Sequence, residues 1–188
     1  MFDSTLILNA DGLPSSVVPL SASNWKESIK QIFVDCADVL AVYDDWEVHS
    51  PSITMKVPSV IMLRQYIKIR RSVKFCKENI FLRDGFICQY CGINHTSNPK
   101  DLTMDHVVPK FLGGKTNWLN IASSCASCNL EKSHYMKMKP KTIPFRPSYY
   151  QLAAAQMRMP ITVPHESWIP FIGWDPQLVT VVPPHCKT

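Results

Sequence analysis

Residues 83–132 read RDGFICQYCGINHTSNPKDLTMDHVVPKFLGGKTNWLNIASSCASCNLEK. Two Cys-x-x-Cys pairs, Cys88/Cys91 and Cys125/Cys128, bracket the dipeptide Asp105-His106 and Asn120, and Asn129 follows the last cysteine. Two intervening residues let both sulfurs of a pair point at one ion from a tight turn, and Gly92 offers the positive φ such turns need. The second pair is expected at a helix N-terminus, where positions i and i+3 share a face. Thirty-three residues separate Cys91 from Cys125, so a folded segment must fill the gap. Four sulfur ligands with no open position describe a structural zinc.

Charge is concentrated around the same stretch. The chain of 188 residues carries a net charge of +5. Residues 1–60 hold three Lys/Arg against eight Asp/Glu, whereas residues 61–141 hold fourteen against five. A basic block of that size attracts polyanions, and phosphate neutralisation is the main source of sequence-independent nucleic-acid affinity. Arg70, Arg71, Lys74, Lys110 and Lys132 are the residues expected to face phosphate.

Leu102 to Pro109 reads as a strand ending near the proline, followed by a loop through Gly113-Gly114, then Trp118 to Ile121, then the Cys125 helix. The polar groups on this frame suit hydrolysis of a phosphodiester, which needs an activated water and a cation for the developing charge. His106 is the natural general base, since an imidazole near its free pKa takes a proton at neutral pH. Asp105 is a hard oxygen ligand of the kind magnesium prefers. Asn129, one turn beyond Cys125, is the second candidate ligand, and Lys132 the candidate phosphate contact. His134 ranks below Asn129, because five residues on an ideal helix turn it well off that face. Asn120 is placed to orient the His106 ring through a hydrogen bond. In a regular strand Asp105 and His106 face opposite sides, so the strand must bend or end there.

In order along the chain, R-D-x-x-x-C-x-Y-C-G, L-T-x-D-H-V-V-P-K, G-G, W-x-N-I and C-x-x-C-N-x-x-K resemble the HNH endonucleases, and most of all their zinc-stapled bacterial and phage branch. The resemblance is specific over about residues 77–135. More loosely, LNADGLPSSVVPL and SPSITMKVPSVIMLRQYI resemble the leading region of such proteins. It implies a ββα-metal core, with His106 as the first H of the motif, Asn120 as the N, and Asn129 in place of the final H. It also implies a metal-dependent DNA endonuclease that acts on double-stranded DNA and leaves a 5′-phosphate and a 3′-hydroxyl. Its cofactors would be a structural zinc and a catalytic magnesium, manganese or nickel. Two other readings compete: a zinc-stabilised DNA-binding module or adaptor without catalysis, and a zinc-dependent protein-interaction domain.

The remainder is read as α+β. Asp11-Gly12 between apolar runs predicts a hairpin. A helix capped by Ser21 or Ser23 should run through about Val34. Strands are expected over 39–43 and 46–49 around an Asp44-Asp45 turn, and over 60–69. Nine of fifteen prolines follow residue 139, so the last third should wrap as extended chain. One helix is expected there near 148–159, started by a Ser148/Gln151 capping box. Trp168, Phe171 and Trp174 should pack that tail. These features divide the chain into an N-terminal α+β region (1–76), a zinc-bearing nuclease core (77–141) and a Pro-rich extension (142–188). Seven cysteines, four in metal spacing, predict a reducing cytoplasm of a bacterial cell or phage-infected host. Cys36, Cys76 and Cys186 are then lone thiols, buried or incidental. The opening MFDSTLILNADG lacks a basic leader and predicts no signal peptide, and no apolar run is long enough for a bilayer.

Overall fold

In the computed structural model, which describes residues 4–68, 71–135 and 137–183, one strand gathers the apolar residues of the N-terminal third. This is β4 (Thr54–Leu63), buried continuously from Val57 to Ile61. It pairs in parallel with β1 (Ser4–Leu8) and antiparallel with β3 (Ala37–His49), while β2 (Ala22–Asn24) pairs antiparallel with β1. The sheet order is β2-β1-β4-β3.

Successive residues of β4 feed opposite faces. Ile61 packs with Ala37, Leu63, Ile7 and Ile32, the last on α1 (Trp25–Phe33). Val60 packs on the other face with Leu6, Leu8, Val163, Trp168, Ile172 and Trp174. Trp168 is fully buried and donates its indole N–H to the Ser59 carbonyl at 2.8 Å. Trp174 is 5 % exposed and bonds the Met159 carbonyl. A strand covered on both sides needs the C-terminal segment to close its second face. That is why residues 157–188 return to residues 1–70 as one compact unit, and residues 71–156 form another. These two compact units divide the chain after 70 and after 156, beside the three segments 1–76, 77–141 and 142–188 expected from the sequence.

Several local expectations shift for identifiable reasons. The α1 cap is Asn24, whose side chain accepts from the Lys26 N–H at 2.9 Å, while the Ser23 hydroxyl is turned to that of Ser28 at 2.7 Å. Asp11-Gly12 does turn, with Gly12 at φ +77 and its N–H on the Asn9 carbonyl. A short antiparallel return follows it: Leu8 bridges Pro14, flanked by the Asn9 N–H on the Leu13 carbonyl and the Ser15 N–H on the Ile7 carbonyl, and it goes no further because Ala22–Asn24 pair with the start of β1. Asp44-Asp45 lies inside the single strand β3, where the pairing register shifts between Val42 and Glu47. The reversal comes later, where the Ser50 N–H donates to the Ile53 carbonyl and the Ser50 hydroxyl accepts from the Ile53 N–H. The strand expected over 60–69 is β4, ending at Leu63.

The second unit opens with α2 (Lys77–Arg83), continues through β5 (Leu102–His106) and β6 (Ile121–Cys125), and enters α3 (Ala126–Lys132) without a loop. β5 and β6 are antiparallel, with Leu102 opposite Cys125 and His106 opposite Ile121. The order β5-β6-α3 is the ββα core. Helix α4 (Tyr149–Gln156) packs against α2 and carries the expected box: the Ser148 N–H donates to Gln151 Oε1 at 2.8 Å, and the Ser148 hydroxyl accepts from the Gln151 N–H. The core comprises Ile80, Phe81, Cys88, Tyr90, Leu102, Trp118, Ile121, Cys125 and Cys128. Three of those nine are cysteines of the pairs, so apolar burial alone is thin here. In the first unit, the two short strands β7 (Ile161–Val163) and β8 (Val179–Val181) run parallel, and α5 (Ile169–Ile172) carries Ile172 to its core. No helix among the described residues is long and apolar enough to cross a membrane.

Candidate active site and metal centre

The four sulfurs of Cys88, Cys91, Cys125 and Cys128 lie within 4.8 Å of one another, and Cys91 and Cys125 are 3.9 Å apart. Zinc–sulfur bonds of about 2.3 Å place tetrahedral sulfurs about 3.8 Å apart, so the spacing fits one metal ion. The first pair sits on a knuckle that turns at Gly92, φ +86, and is clasped by Lys141. That residue donates its backbone N–H to the Gln89 carbonyl and its ammonium to the Cys91 carbonyl. The second pair spans the β6–α3 junction, with Cys125 in the N-cap position. Burial pushes the Cys88 thiol up, but backbone hydrogen bonds from Cys125, Cys91 and Tyr90 outweigh it and bring the pKa down to about 6. Cys128 is pushed up, by burial first and then by its sulfur neighbours. Four sulfurs this close cannot all ionise without a cation between them, and this donor set can hold zinc. Cys36 is exposed, Cys76 occupies the N-cap position of α2, and Cys186 lies outside the described residues.

The R-D that opens the motif is a buried fork. Arg83 donates to both carboxylate oxygens of Asp84, at 2.7 and 2.9 Å, and to the carbonyls of Trp118, Ile121 and Phe145. Asp84 also accepts the Ser123 N–H at 2.8 Å. This pair fastens α2 to the start of β6 and so fixes the strand that carries Cys125.

Asp105 is 5 % exposed. Tyr90, between the knuckle cysteines, donates its hydroxyl to Asp105 Oδ2. Lys132, 1 % exposed, places its ammonium 3.0 Å from Oδ2, 3.2 Å from Oδ1 and 2.7 Å from the His106 carbonyl. Burial, reinforced by the Asp105 hydrogen bond, holds the Tyr90 phenol above its usual range, so it stays a donor. Lys132 was expected on phosphate. It is instead the counterion of Asp105, because α3 runs along β5 and its last turn reaches over the strand end. Asn129, one turn earlier on α3, donates to the Thr103 hydroxyl at 3.1 Å. Thr103 and Asp105 alternate onto the same face of β5, so Asn129 and Lys132 grip one side of that strand.

His106 is the last residue of β5, as the divergence of the two side chains requires. Its Nε2 lies 2.8 Å from the Thr116 hydroxyl on the following loop. Burial first, then the positive charge of Lys110, holds this imidazole below its usual value and so neutral at pH 7. Asn120 does not touch the ring. Its Oδ1 accepts from the Val108 N–H at 2.8 Å, and its amide donates to the carbonyls of Val108 and Lys115 at 3.0 and 2.9 Å. It therefore ties the loop that leaves His106 to the one that returns with Thr116, and orients the histidine through backbone. Gly114 is required in this turn, since a Cβ there would stand 1.8 Å from the Val108 carbonyl oxygen.

His134 lies beyond the end of α3 and is exposed, its ring against Tyr135 and Phe111. The helix stops at Lys132, with Ser133 at φ +46, so no helical face carries His134 toward β5. Arg71, Lys74 and Lys110 are exposed, and Arg70 lies outside the described residues. Sequence reasoning missed Tyr90, Thr116 and the Arg83–Asp84 fork. A signal for the first existed: a tyrosine held between two ligating cysteines is buried with them, and its hydroxyl then needs a partner.

Residues 88–134 match the family model of the HNH endonuclease, and residues 5–71 match that of the HNH endonuclease-associated, N-terminal domain. No curated protein matches the chain at a significant level. With a β5-β6-α3 core, a four-cysteine cluster and Asp105-His106 at the end of β5, all inside or beside the matched span, this chain carries an HNH endonuclease domain preceded by an HNH endonuclease-associated N-terminal domain.

Proposed function

We propose that this protein is a metal-dependent endonuclease that hydrolyses DNA phosphodiester bonds, with a structural zinc on Cys88, Cys91, Cys125 and Cys128. The observation that carries this reading is the placement of His106. It is a neutral, half-buried imidazole at a strand end, bonded to Thr116 on one side and following a carboxylate locked by Tyr90 and Lys132 on the other. In this reading His106 takes the proton of the attacking water at its free ring nitrogen, while Thr116 fixes the tilt of the ring. Asn120 holds the loop that presents both groups. Asp105 and Asn129 would hold the divalent cation, magnesium, manganese or nickel, which supplies charge stabilisation for the phosphate. Three of the roughly four acceptor sites of Asp105 are taken by Tyr90 and Lys132, which leaves one on Oδ1. Asn129 uses its amide N–H on Thr103 and leaves its carbonyl oxygen for the ion. Lys110, exposed beside His106, and Arg71 and Lys74 remain the phosphate contacts; Lys132 does not.

The competing reading is a zinc-stapled DNA-binding module without catalysis. It draws on the Lys132–Asp105 pair, which occupies most of the carboxylate that a metal would use. Incubating supercoiled plasmid with the protein and magnesium, manganese, nickel or cobalt separates the two. Nicking that disappears in EDTA, and that His106→Ala reduces by about 100-fold with zinc content unchanged, is the expected result. No cleavage with any of the four metals, or equal cleavage by the His106→Ala protein, overturns the proposal.

A further inference from the structure

Away from His106, the second unit has a cleft of about 310 Å³ between residues 71–73 and 146–150. This volume is at the small end of ligand-sized sites, roughly 300–1,000 Å³. Its walls carry two guanidinium groups, two phenol rings and two serines, and no acidic residue. Arg71 is held in place: it donates to the Tyr150 hydroxyl and lies 5.8 and 5.2 Å from the ring centres of Tyr149 and Tyr150. The two rings meet edge to face at 5.9 Å. Arg146 is exposed and makes no ion pair or hydrogen bond among the described residues. The capped N-terminus of α4 opens at the same place, because Ser148 lines the cleft. Tyr150 is 65 % exposed, a large aromatic surface left to solvent beside two cations.

A fixed guanidinium group and an unpaired one beside a helix N-terminus favour an anion, and an exposed ring next to them favours the flat face of a base. Residues 71–156 carry twelve Lys/Arg against five Asp/Glu, so the field around the cleft has the same sign. We propose that this cleft is a second nucleic-acid contact. In it Arg71 and Arg146 hold backbone phosphates of a DNA strand flanking the cut, and Tyr150 stacks on an unpaired base of that strand. The inference rests on the DNA-nuclease reading and adds to it an anchoring site formed by segments that supply no catalytic residue.

The test uses the full-length, metal-loaded His106→Ala protein, which binds without cutting. Fluorescence anisotropy measures its affinity for a labelled single-stranded oligonucleotide and for the same sequence as a duplex, across a range of salt. Arg71→Ala and Arg146→Ala together should weaken binding to both DNAs by tenfold or more. They should also lower the slope of log affinity against log salt by about two, one per phosphate released. Tyr150→Leu should weaken single-strand binding by fivefold or more, because base stacking on an aromatic face needs an unpaired base, and should change duplex binding less. Arg146→Glu guards against a folding artefact, since an exposed, unpartnered side chain can be reversed with melting unchanged, and it should weaken binding further than Arg146→Ala. If the parent binds DNA and all four variants bind within twofold of it at the same salt slope, the cleft is not a DNA contact and the nuclease reading stands. If the parent binds neither DNA, both fall.

Discussion

The two units of this chain are held together by different physics. In residues 1–70 with 157–188 the buried polar residues, Thr5, Asn9, Ser28 and Ser59, are uncharged, and β4 is covered by Leu6, Leu8, Val163 and Trp168 on one face and by Ile7, Ile32 and Ala37 on the other. In residues 71–156 the buried set includes the Arg83–Asp84 fork, the Tyr90–Asp105–Lys132 cluster and three cysteines that with the exposed Cys91 surround a metal-sized gap. An apolar core degrades by degrees as methylenes are removed. A core of paired charges and metal ligands fails abruptly when one partner goes, since the other is stranded out of water. The unit that carries the HNH domain is therefore also the one whose core rests on charge pairing and on a cluster that could hold a metal.

The comparison breaks most sharply under metal removal. Structural zinc contributes apparent binding energies of about 10–16 kcal/mol in small zinc modules at neutral pH. Chelation, or Cys125→Ser, should abolish hydrogen-exchange protection at 102–106 and 121–132 while β1 and β4 stay protected. Elemental analysis should find about one tightly held zinc before treatment. Equal loss in both units would erase the distinction drawn here.

A matched pair of substitutions sharpens it. Lys132→Ala leaves Asp105 buried and unpaired and should cost about 3–5 kcal/mol, with the loss confined to residues 71–156. Trp168→Ala should cost about 3–5 kcal/mol through a cavity, with exchange rising along β4 and zinc content untouched. Unchanged melting of Lys132→Ala would return that lysine to the phosphate role first expected of it.

Smaller and more local, Gly114→Ala forces a Cβ toward the Val108 carbonyl and must move the loop that Asn120 holds. Metal-dependent nicking should fall by tenfold or more, since small misplacements at a reacting centre are costly. Zinc content should be retained, and wild-type nicking would show that the loop is not part of the site. The smallest effect is at Asn24. Replacing this cap by alanine should cost about 1 kcal/mol in the first unit and leave nicking unchanged, as read by chemical denaturation and the plasmid assay.

Much of the second unit was legible because its information is local. Cys-x-x-Cys spacing, the Asp105-His106 dipeptide, Gly92 and the Ser148/Gln151 box are each read within a few residues, and each lies where a turn, strand end or helix start was expected. The first unit was less legible because its pairings are not local. That β1 pairs in parallel with β4 follows from partners such as Leu6 and Val60, far apart in sequence, and Asp44-Asp45 is absorbed into one strand because β3 pairs with β4 on both sides of it, Val42 with Pro58 and Glu47 with Lys56. The turn signal at Asp11-Gly12 marks a turn with a short antiparallel return, which stays one bridge long because Ala22–Asn24 pair with the start of β1.

The sequence by itself determined the four-cysteine cluster, the strand-end histidine, the ββα order and the sign of charge on the segment that carries them, because residue type and spacing dictate all four. Only the tertiary structure decided what the remaining polar residues do. It turned Lys132 from a surface cation into the buried counterion of Asp105 and moved Asn120 from the histidine ring to the backbone beside it. It also made Tyr90 the link between knuckle and carboxylate, and divided the Pro-rich tail between two units. The reason is common to these cases: a buried charge or hydroxyl must find a partner, and which partner is in reach depends on how β5, α3 and the knuckle meet in space.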